Sequence, residues 1–248
     1  MKRDLWTGYL TKDSCPPWTC PVCKKGVVAL VPKSLLRKET IESKRAHNED
    51  AWDPTNITFA FTAWGQCPES RCKQEFAIAG IGGVEPEFGP AGDDWDWEEY
   101  FVPKLCYPMP DIFDFPAKCP DEVMRKLRES FALFWSSRAA CAGRIRVALE
   151  SLMGHLGIPE KKKDKTGGYF DLTLHQRIDA FAKNEPAIGQ ELMALKWLGN
   201  SGSHDSEVSR DDLLDAFEIM EHALDEIIDR RSARVATLAK RLTKKHSS

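Results

Sequence analysis

The stretch CPVCKKG, residues 20–26, presents two cysteines separated by two residues, followed by a glycine. A second pair, in CPESRC at residues 67–72, is separated by four residues. Two short-spaced cysteine pairs that are distant in sequence are typical of a tetrahedral four-cysteine zinc site, because each turn contributes two thiolates. We therefore predict a structural zinc ion bound by Cys20, Cys23, Cys67 and Cys72.

The cysteines leave two alternatives open. A redox-active C-x-x-C is the alternative for Cys20 and Cys23 alone, but that motif belongs at a helix start beside a βαβ unit, and a strand-like run follows here. Cys15 is near enough in sequence to replace one ligand. The remaining three are typical of small apolar residues: Cys106, Cys119 and Cys141. Four thiolates fill the coordination sphere of zinc, so we expect no catalysis at the metal.

The chain divides near residue 119. In the first part, residues 1–119, β-branched or aromatic runs between turn residues predict three strands, at 26–31, 57–64 and 75–81. The charged stretch between residues 33 and 54 is compatible with a short strand or a short helix, and its pattern does not decide between them. We expect a small, zinc-ribbon-like β region here.

Charge is concentrated in two segments. All charged side chains in residues 85–99 are acidic, and Gly, Pro and two tryptophans are mixed among them. This composition predicts a surface loop, with a partner-docking or nucleic-acid-mimicking element as the alternative. Residues 231–248 contain basic side chains and no acidic one. They predict a basic helical tail that is either a solvated helix end or a phosphate-contacting patch.

Helical periodicity begins at Pro120 and predicts five helices. They span about 120–135, 137–156, 172–183, 186–199 and 209–242. Ser137 and Ser209 are placed to cap the second and fifth helices. The charged, turn-rich segment 157–168 predicts a hinge. Such helices pack as a bundle, which we expect over residues 120–230, so the predicted fold class is α+β.

The segment LKWLGNSGSHD, residues 195–205, closes the fourth predicted helix. Lys196, Asn200 and His204 are spaced four apart and would share one face if the helix continued. Gly199 and Asn200 instead favour a left-handed helix C-cap, which would leave His204 in the following turn. The pattern alone leaves both a site and a simple helix end open.

Overall composition favours a cytoplasmic protein. The 248 residues carry a formal net charge of −3, and 42% of them are hydrophobic, which suits a globular protein of one or two domains. A net charge this small does not attract the whole protein to nucleic acid or to membranes. The first residues lack the apolar run of a signal peptide, and no apolar stretch reaches the length of a membrane span. We expect no membrane association and no disulfides.

Several motifs resemble those of a known family when they are taken in order. They are CPVC with CPESRC, Tyr107-Pro108, RVALE at 146–150, and LKWLGNSGSHD. This set resembles the bacterial domain-of-unknown-function family 4145, a branch of the HEPN-like superfamily of helical bundles. The resemblance covers about residues 120–228, and members often carry a zinc knuckle in front. Its R-x-x-L-E motif is similar to Arg146–Glu150, whose charged ends lie one helical turn apart and can form an ion pair.

The resemblance implies a function. Many HEPN proteins are dimeric, metal-independent endoribonucleases of phage-defence, toxin–antitoxin or restriction systems. The family's G-N-x-x-x-H motif is similar to Gly199, Asn200 and His204. In such a site the histidine acts as general base on a ribose 2′-hydroxyl while an arginine holds the phosphate. The implied partners are a second copy of the chain, RNA, and a protein from a defence or restriction locus.

The sequence departs from the active HEPN pattern at Gly199, where the ribonucleases have their arginine. Lys196, one turn earlier, supplies a point charge but not a two-pronged guanidinium. Three roles stay open for Asn200: binding a phosphate oxygen, orienting the histidine, or capping the helix. Two functions therefore remain. One is an RNA-cleaving effector that uses Lys196, Asn200 and His204, and the other is a non-catalytic zinc-binding helical module that binds a partner protein or nucleic acid.

Overall fold

The structure is a computed structural model that describes residues 1–88, 95–201 and 207–246. It divides into two compact units, Lys2–Asp111 and Ile112–Ser248, and the second unit also includes Met1. The division therefore follows Asp111, whereas composition placed it near residue 119. The first unit is built on an antiparallel sheet and the second on helices, so the fold is α+β.

A curled antiparallel sheet forms the N-terminal unit, and the described residues contribute five strands to it. They are β1 (Ala29–Leu30), β2 (Leu36–Glu39), β3 (Thr58–Gln66), β4 (Glu75–Phe88) and β5 (Trp95–Tyr107). β3 pairs with β4 and β4 with β5, while β1 and β2 pair with opposite ends of β3. The unit also contains two short helices, α1 (Asp4–Thr7) and α2 (Ile41–Ala46), and a 3-10 turn at Pro54–Asn56.

The alternation of β3 explains why this segment forms a strand. Phe59, Phe61 and Ala63 are buried, whereas the residues between them are exposed. A period of two turns one face of a strand to the core and the other to water. The ring of Phe61 meets that of Phe101 on β5 edge to face, with the centroids 5.1 Å apart. The core of this unit therefore lies against one face of the sheet.

The strand predictions are confirmed in position but not in length. The predicted strands at 57–64 and 75–81 correspond to β3 and β4, although β4 continues to Phe88. The predicted strand at 26–31 is reduced to the two residues of β1. The charged stretch between residues 33 and 54 contains both a strand, β2, and a helix, α2, which is capped by the side chain of Thr40.

The prediction of a loop over residues 85–99 is wrong for the described part of that segment. The residues up to Phe88 belong to β4 and those from Trp95 belong to β5, while residues 89–94 lie outside the described part. In this hairpin Glu85 lies opposite Glu98, and Glu87 lies opposite Asp96. The loop was predicted from glycine and proline mixed into an acidic run. Facing like charges also oppose strand pairing, but the two strands pair nevertheless.

The helical unit contains six helices within its described residues. They are α3 (Asp121–Leu133), α4 (Arg138–His155), α5 (Leu174–Ala182), α6 (Pro186–Ser201), α7 (Arg210–Leu224) and α8 (Arg231–His246). α4 is the central element, because it contacts α3, α5, α6 and α7. Ile145, Leu149 and Leu152 of α4 are fully buried, and this spacing is the apolar stripe that the sequence predicted.

Local capping explains where these helices begin. The side chain of Ser137 accepts a hydrogen bond from the Ala140 amide at the start of α4, as predicted. Ser209 caps α7 and forms a reciprocal capping box with Asp212, also as predicted. A similar box, Thr173 with Gln176, begins α5. Among the described residues, no helix is both long and apolar enough to cross a membrane.

Three predictions about the helical unit need correction. The segment 157–168 was predicted as a hinge, but part of it forms a hairpin of β6 (Lys161–Lys163) with β7 (Tyr169–Asp171). The fourth predicted helix does not end at Gly199, because α6 continues to Ser201.

The fifth predicted helix is not continuous. A π-helical turn at Asp225–Asp229 and a left-handed Arg230, with φ of 47°, separate α7 from α8. The apolar residues of α7 and those of α8 therefore do not lie on one continuous helical face. Val235, Leu238 and Leu242 of α8 are exposed.

Candidate metal centre and the α4–α6 helix pair

The two cysteine pairs converge within the N-terminal unit. The Sγ atoms of Cys20 and Cys72 are 3.8 Å apart, and those of Cys23 and Cys67 are 3.7 Å apart. All four sulfurs lie within 4.8 Å of one another. Each close approach joins one cysteine of the first pair to one of the second. The structure therefore brings together the four residues that the sequence predicted as ligands.

The spacing of these sulfurs fits a bound metal ion and excludes a disulfide. A disulfide requires an S–S distance of about 2.05 Å. Four sulfurs at about 2.3 Å from a central zinc ion would form a tetrahedron with edges of about 3.8 Å. The two short distances match that edge. The cluster is therefore compatible with a tetrahedral metal site.

The backbone shapes both turns in the same way. Lys24 and Lys73 each follow the second cysteine of their pair, and both adopt left-handed conformations with φ of 58° and 54°. Gly26 lies against the opposite pair, since a Cβ atom at this position would overlap the sulfur of Cys67. The side chain of Lys24 forms an ion pair with Asp111, which fixes the first turn within the same unit. These features explain why a glycine follows the first pair.

The environments of the thiols differ within the cluster. The pKa of Cys23 is lowered to about 6, first because the Gly26 amide donates to its sulfur and then because the Lys25 amide does so. Burial raises the pKa of Cys67 to about 12. A metal ligand must be a thiolate, so binding at Cys67 releases a proton.

The other cysteines have a different character. Among the described residues, the metal-compatible cluster contains Cys20, Cys23, Cys67 and Cys72 and does not include Cys15. The Cys15 thiol donates to the Val28 carbonyl at 3.4 Å, and burial raises its pKa to about 11. Cys106, Cys119 and Cys141 are buried, as expected of small apolar residues.

The second group of predicted residues lies on α6. Lys196 and Asn200 are one turn apart on this helix, and His204 lies outside the described residues. Lys196 is only 7% exposed, and its Nζ atom is 3.3 Å from the centroid of the Trp197 ring. An ammonium group over an indole face gains a cation–π interaction, which is strongest when the pair is shielded from water. The ammonium group of Lys196 therefore contacts the Trp197 ring in this structure and is largely shielded from solvent.

Gly199 lies where α6 packs tightly against α4. A Cβ atom placed at Gly199 would be 2.6 Å from Cβ of Arg146 and 3.1 Å from the carbonyl oxygen of Ala142. Real Cβ atoms do not come so close to another carbon, so a side chain here would force the helices apart. The glycine therefore has a role in helix packing, which its neighbours in the sequence do not reveal.

Arg146 lies on α4 beside this contact. Its Nη2 atom is 3.5 Å from Oε1 of Glu150, one turn along the helix. This distance is that of a loose ion pair rather than of a short hydrogen bond. The Nε atom of Arg146 is buried without a hydrogen-bond partner among the described residues. The predicted pair is thus close in space, but it uses little of the donor capacity of the guanidinium.

Comparison with known families agrees with this division of the chain. Residues 128–245 match the model of a domain of unknown function, DUF4145. Residues 8–106 match a second domain of unknown function, DUF8608. No curated protein and no solved structure matches the chain. The DUF4145 match includes the α4–α6 contact, whereas the DUF8608 match contains all four clustered cysteines.

The ordered sequence motifs resemble the first of these families, whereas they give no sign of the second. The resemblance was placed on about residues 120–228, and the DUF4145 match extends further into α8. In the N-terminal unit the two cysteine turns, at residues 20–26 and 67–72, predict a metal site, but they do not indicate a family.

Proposed function

We propose that this chain is a zinc-stabilised, HEPN-type endoribonuclease that cleaves RNA without a catalytic metal. The observation that carries the proposal is the continuation of α6 through Gly199 and Asn200 to Ser201. The continuation keeps Lys196 and Asn200 one turn apart on one side of a regular helix, directly before His204 in sequence. The match of this region to DUF4145 supports the same assignment.

The proposed reaction is a transesterification within the RNA. His204 removes the proton from a ribose 2′-hydroxyl, and the resulting oxygen attacks the adjacent phosphorus. The bond from phosphorus to the 5′-oxygen of the next nucleotide breaks, and this oxygen takes up a proton from water. The products are a 2′,3′-cyclic phosphate and a 5′-hydroxyl. Asn200 donates to a phosphate oxygen, and the positive charge of Lys196 lowers the energy of the developing anion.

Zinc is the metal that we assign to the four cysteines. Cys20, Cys23, Cys67 and Cys72 offer four sulfur ligands at tetrahedral spacing, and thiolates favour zinc over hard cations such as magnesium. With all four positions filled by protein, the ion supplies folding energy to the N-terminal unit and offers no open site for a substrate. The metal and the RNA chemistry are therefore assigned to different units.

The proposed function also implies an oligomeric state and a biological role. HEPN ribonucleases form their site between two copies, so we propose a homodimer that binds RNA. A defence, toxin–antitoxin or restriction system is the corresponding context, with a protein of the same locus as a further partner. Light scattering tests the assembly, because a monomer at micromolar concentration contradicts it.

Cleavage of a mixed RNA pool tests the function. The wild type and His204→Ala are compared in buffer with EDTA and no added divalent metal, and zinc content is measured after the assay to show that the cysteine site remains loaded. We expect cleavage with 2′,3′-cyclic phosphate ends and a loss of about 10² to 10⁴ in rate for His204→Ala. Equal cleavage by both proteins, or none by either, contradicts the proposal.

A second candidate function is a non-catalytic zinc-binding helical module that binds a partner protein or nucleic acid. Two observations favour it. Gly199 packs against α4, and the ammonium group of Lys196 lies over the ring of Trp197. The exposed, basic α8 then becomes the natural binding element. RNA binding without cleavage by the wild type, unaffected by His204→Ala, supports this function over the first.

A further inference from the structure

A two-stranded hairpin lies on the surface of the helical unit, between α4 and α5 in the chain. Its strands are β6 (Lys161–Lys163) and β7 (Tyr169–Asp171). They pair with each other and, within the part of the chain that the structure describes, with no other strand. Every residue from 159 to 171 is exposed. The side chains of the hairpin are therefore open to a partner.

Two aromatic rings of this hairpin are exposed. Tyr169 is 71% exposed and Phe170 is 43% exposed. Neither ring is stacked on another ring or on a cation among the described residues. An aromatic ring offers a flat face on which another ring can stack. The hairpin therefore presents stacking faces that the protein itself does not use.

The hairpin also carries an excess of positive charge, because residues 161–171 contain four lysines and two aspartates. The carboxylate of Asp164 accepts three hydrogen bonds, from two amides and one hydroxyl of the turn, and so holds the turn together. Asp171 lies 3.7 Å from the ammonium group of Lys161. The other lysines form no ion pair with the described residues: Lys162, Lys163 and Lys165.

The strand register places a lysine beside each ring. Lys163 lies opposite Tyr169, and Lys162 lies opposite Phe170. Directly opposite residues share a face of the hairpin, with Cβ atoms about 4.5 to 5.5 Å apart, while successive residues point to opposite faces. Each face therefore combines one ring with one ammonium group. A nucleotide of a single strand offers the complementary pair, a flat base and a phosphate.

The same arrangement does not suit a lipid surface. The turn that ends the hairpin, residues 164–168, has the sequence DKTGG and carries no apolar side chain to enter a membrane. The rings of Tyr169 and Phe170 point to opposite faces, so one flat surface does not reach both. An acidic peptide would pair with the lysines but would leave the rings unused. A flexible single strand uses both features.

We propose that the β6–β7 hairpin binds single-stranded RNA, with a base stacked on Tyr169 and a neighbouring phosphate on Lys163. The choice of RNA over DNA rests on the proposed function. The binding surface itself does not depend on cleavage, because its rings and lysines lie outside residues 195–205. It goes beyond the proposed function by assigning a second group of residues to the nucleic acid.

Binding of a labelled 2′-O-methyl RNA to the full-length zinc-loaded protein tests the inference, because this RNA lacks the 2′-hydroxyl that cleavage requires. Fluorescence anisotropy gives the affinity at several salt concentrations. A duplex of the same RNA and a single-stranded DNA of the same sequence are measured in parallel. The variants are Tyr169→Leu, Tyr169→Phe, Lys163→Gln and Lys163→Arg, and circular dichroism verifies that each is folded.

Two matched controls lie outside the hairpin. Lys183→Gln removes another exposed lysine of the helical unit, at the end of α5. Phe88→Leu removes an exposed ring of the N-terminal unit, at the end of β4. Neither control should change the affinity or its dependence on salt.

We expect Tyr169→Leu to weaken binding about 5- to 150-fold, the range for the loss of one base stacked on an aromatic ring. Tyr169→Phe should bind like the wild type because it keeps the ring. Lys163→Gln should make the dependence of log affinity on log salt shallower by about 0.7, and Lys163→Arg should leave it unchanged. The duplex should bind more weakly, since its bases are already stacked on one another.

Each other outcome has a defined meaning. A wild type that does not bind single-stranded RNA overturns the inference, and so does RNA binding that Tyr169→Leu and Lys163→Gln leave unchanged. Equal losses in Tyr169→Leu and Tyr169→Phe, with an unchanged salt dependence in Lys163→Gln, show a structural role and also overturn it. Tighter binding of the DNA contradicts the choice of RNA.

The ribonuclease is judged separately, by cleavage of unmodified RNA. If the wild type cleaves that RNA and the hairpin variants bind like the wild type, the ribonuclease stands and the role of the hairpin is wrong. If the wild type does not cleave and the variants weaken binding as expected, the hairpin is supported and the ribonuclease falls.

Discussion

At the cysteine site the functional atoms face one another, whereas at the α4–α6 contact the charged groups face protein neighbours. The sulfurs of Cys23 and Cys67 approach to 3.7 Å, which matches the edge of a tetrahedron of four sulfurs around one ion. Lys196 instead lies over Trp197, and Arg146 lies beside Glu150. The first arrangement is compatible with a shared metal ion. The second is explained in part by helix packing.

The largest effect is expected from removing one sulfur. Cys67→Ser should abolish binding of about one zinc per chain, because three thiolates leave the tetrahedron incomplete. Structural zinc contributes an apparent free energy of about 10 to 16 kcal/mol to small metal-dependent folds, so the N-terminal unit should lose its order. Elemental analysis and circular dichroism measure the two effects.

Cys15→Ser is the matched control for that experiment. Cys15 lies in the same unit but outside the sulfur cluster, so this variant should keep its zinc. Full zinc retention in Cys67→Ser, or loss in Cys15→Ser, would mean that the ligand set is different. Helical circular dichroism from the second unit should persist in both variants, which keeps a loss of metal separate from general unfolding.

An intermediate effect is expected at the helix contact. Gly199→Ala places a Cβ atom 2.6 Å from that of Arg146, so the free energy of unfolding should fall by about 1 to 3 kcal/mol. Gly143→Ala, on α4 with no atom within 4 Å of the new carbon, should raise it by about 0.5 to 1 kcal/mol. Chemical denaturation measures both, and equal effects of the two substitutions would rule out the close packing at Gly199.

A smaller, pH-dependent effect is expected where α6 meets α7. His222 lies 2.9 Å from Glu191, and this hydrogen bond raises the pKa of the histidine. A raised pKa stabilises the fold fully below the ordinary pKa of histidine, and the contribution is lost as pH rises through the folded value. The pair is partly exposed, so the contribution should be about 0.2 to 1 kcal/mol. His222→Gln should therefore lower stability at pH 5 and leave it unchanged at pH 9.

The smallest effect is expected in the acidic hairpin of the N-terminal unit. The pKa of Glu98 is raised, first by its hydrogen bond with Glu87. A carboxyl group with a raised pKa favours the fold at low pH and loses that advantage as pH rises through the folded value. Glu87→Gln should remove this dependence and move the pKa of Glu98 back towards its ordinary range. A carboxyl titration followed by NMR gives the answer, and an unmoved Glu98 would contradict the pairing.

The sequence predicted the convergence of the four cysteines because residue type and spacing carry that signal. Cys20, Cys23, Cys67 and Cys72 came together as expected, and Ser137 and Ser209 cap the helices that they were predicted to begin. Helix capping depends on residues that are close in sequence, and metal ligation depends on a few residue types at short spacing. Both patterns can therefore be recognised in a single sequence.

The errors arose where long-range packing overrides local preference. Gly199 was interpreted as a helix end, but the approach of α4 makes it part of a continuous helix. The acidic run was interpreted as a loop, but the pairing of β4 with β5 from Ala77 to Phe88 holds Glu87 opposite Asp96 despite their charges. The break at Arg230 has no glycine or proline to reveal it. Tertiary context decides such cases, and the sequence shows only one side of each contact.

X-ray absorption at the zinc edge of the freshly purified protein tests the central claim most directly. We propose that the four clustered sulfurs bind one zinc ion and leave no position on it open for chemistry. The expected spectrum shows four sulfur atoms at about 2.3 Å from the zinc and no oxygen or nitrogen ligand. A first shell that contains water or nitrogen, or a protein that carries no zinc, would contradict it.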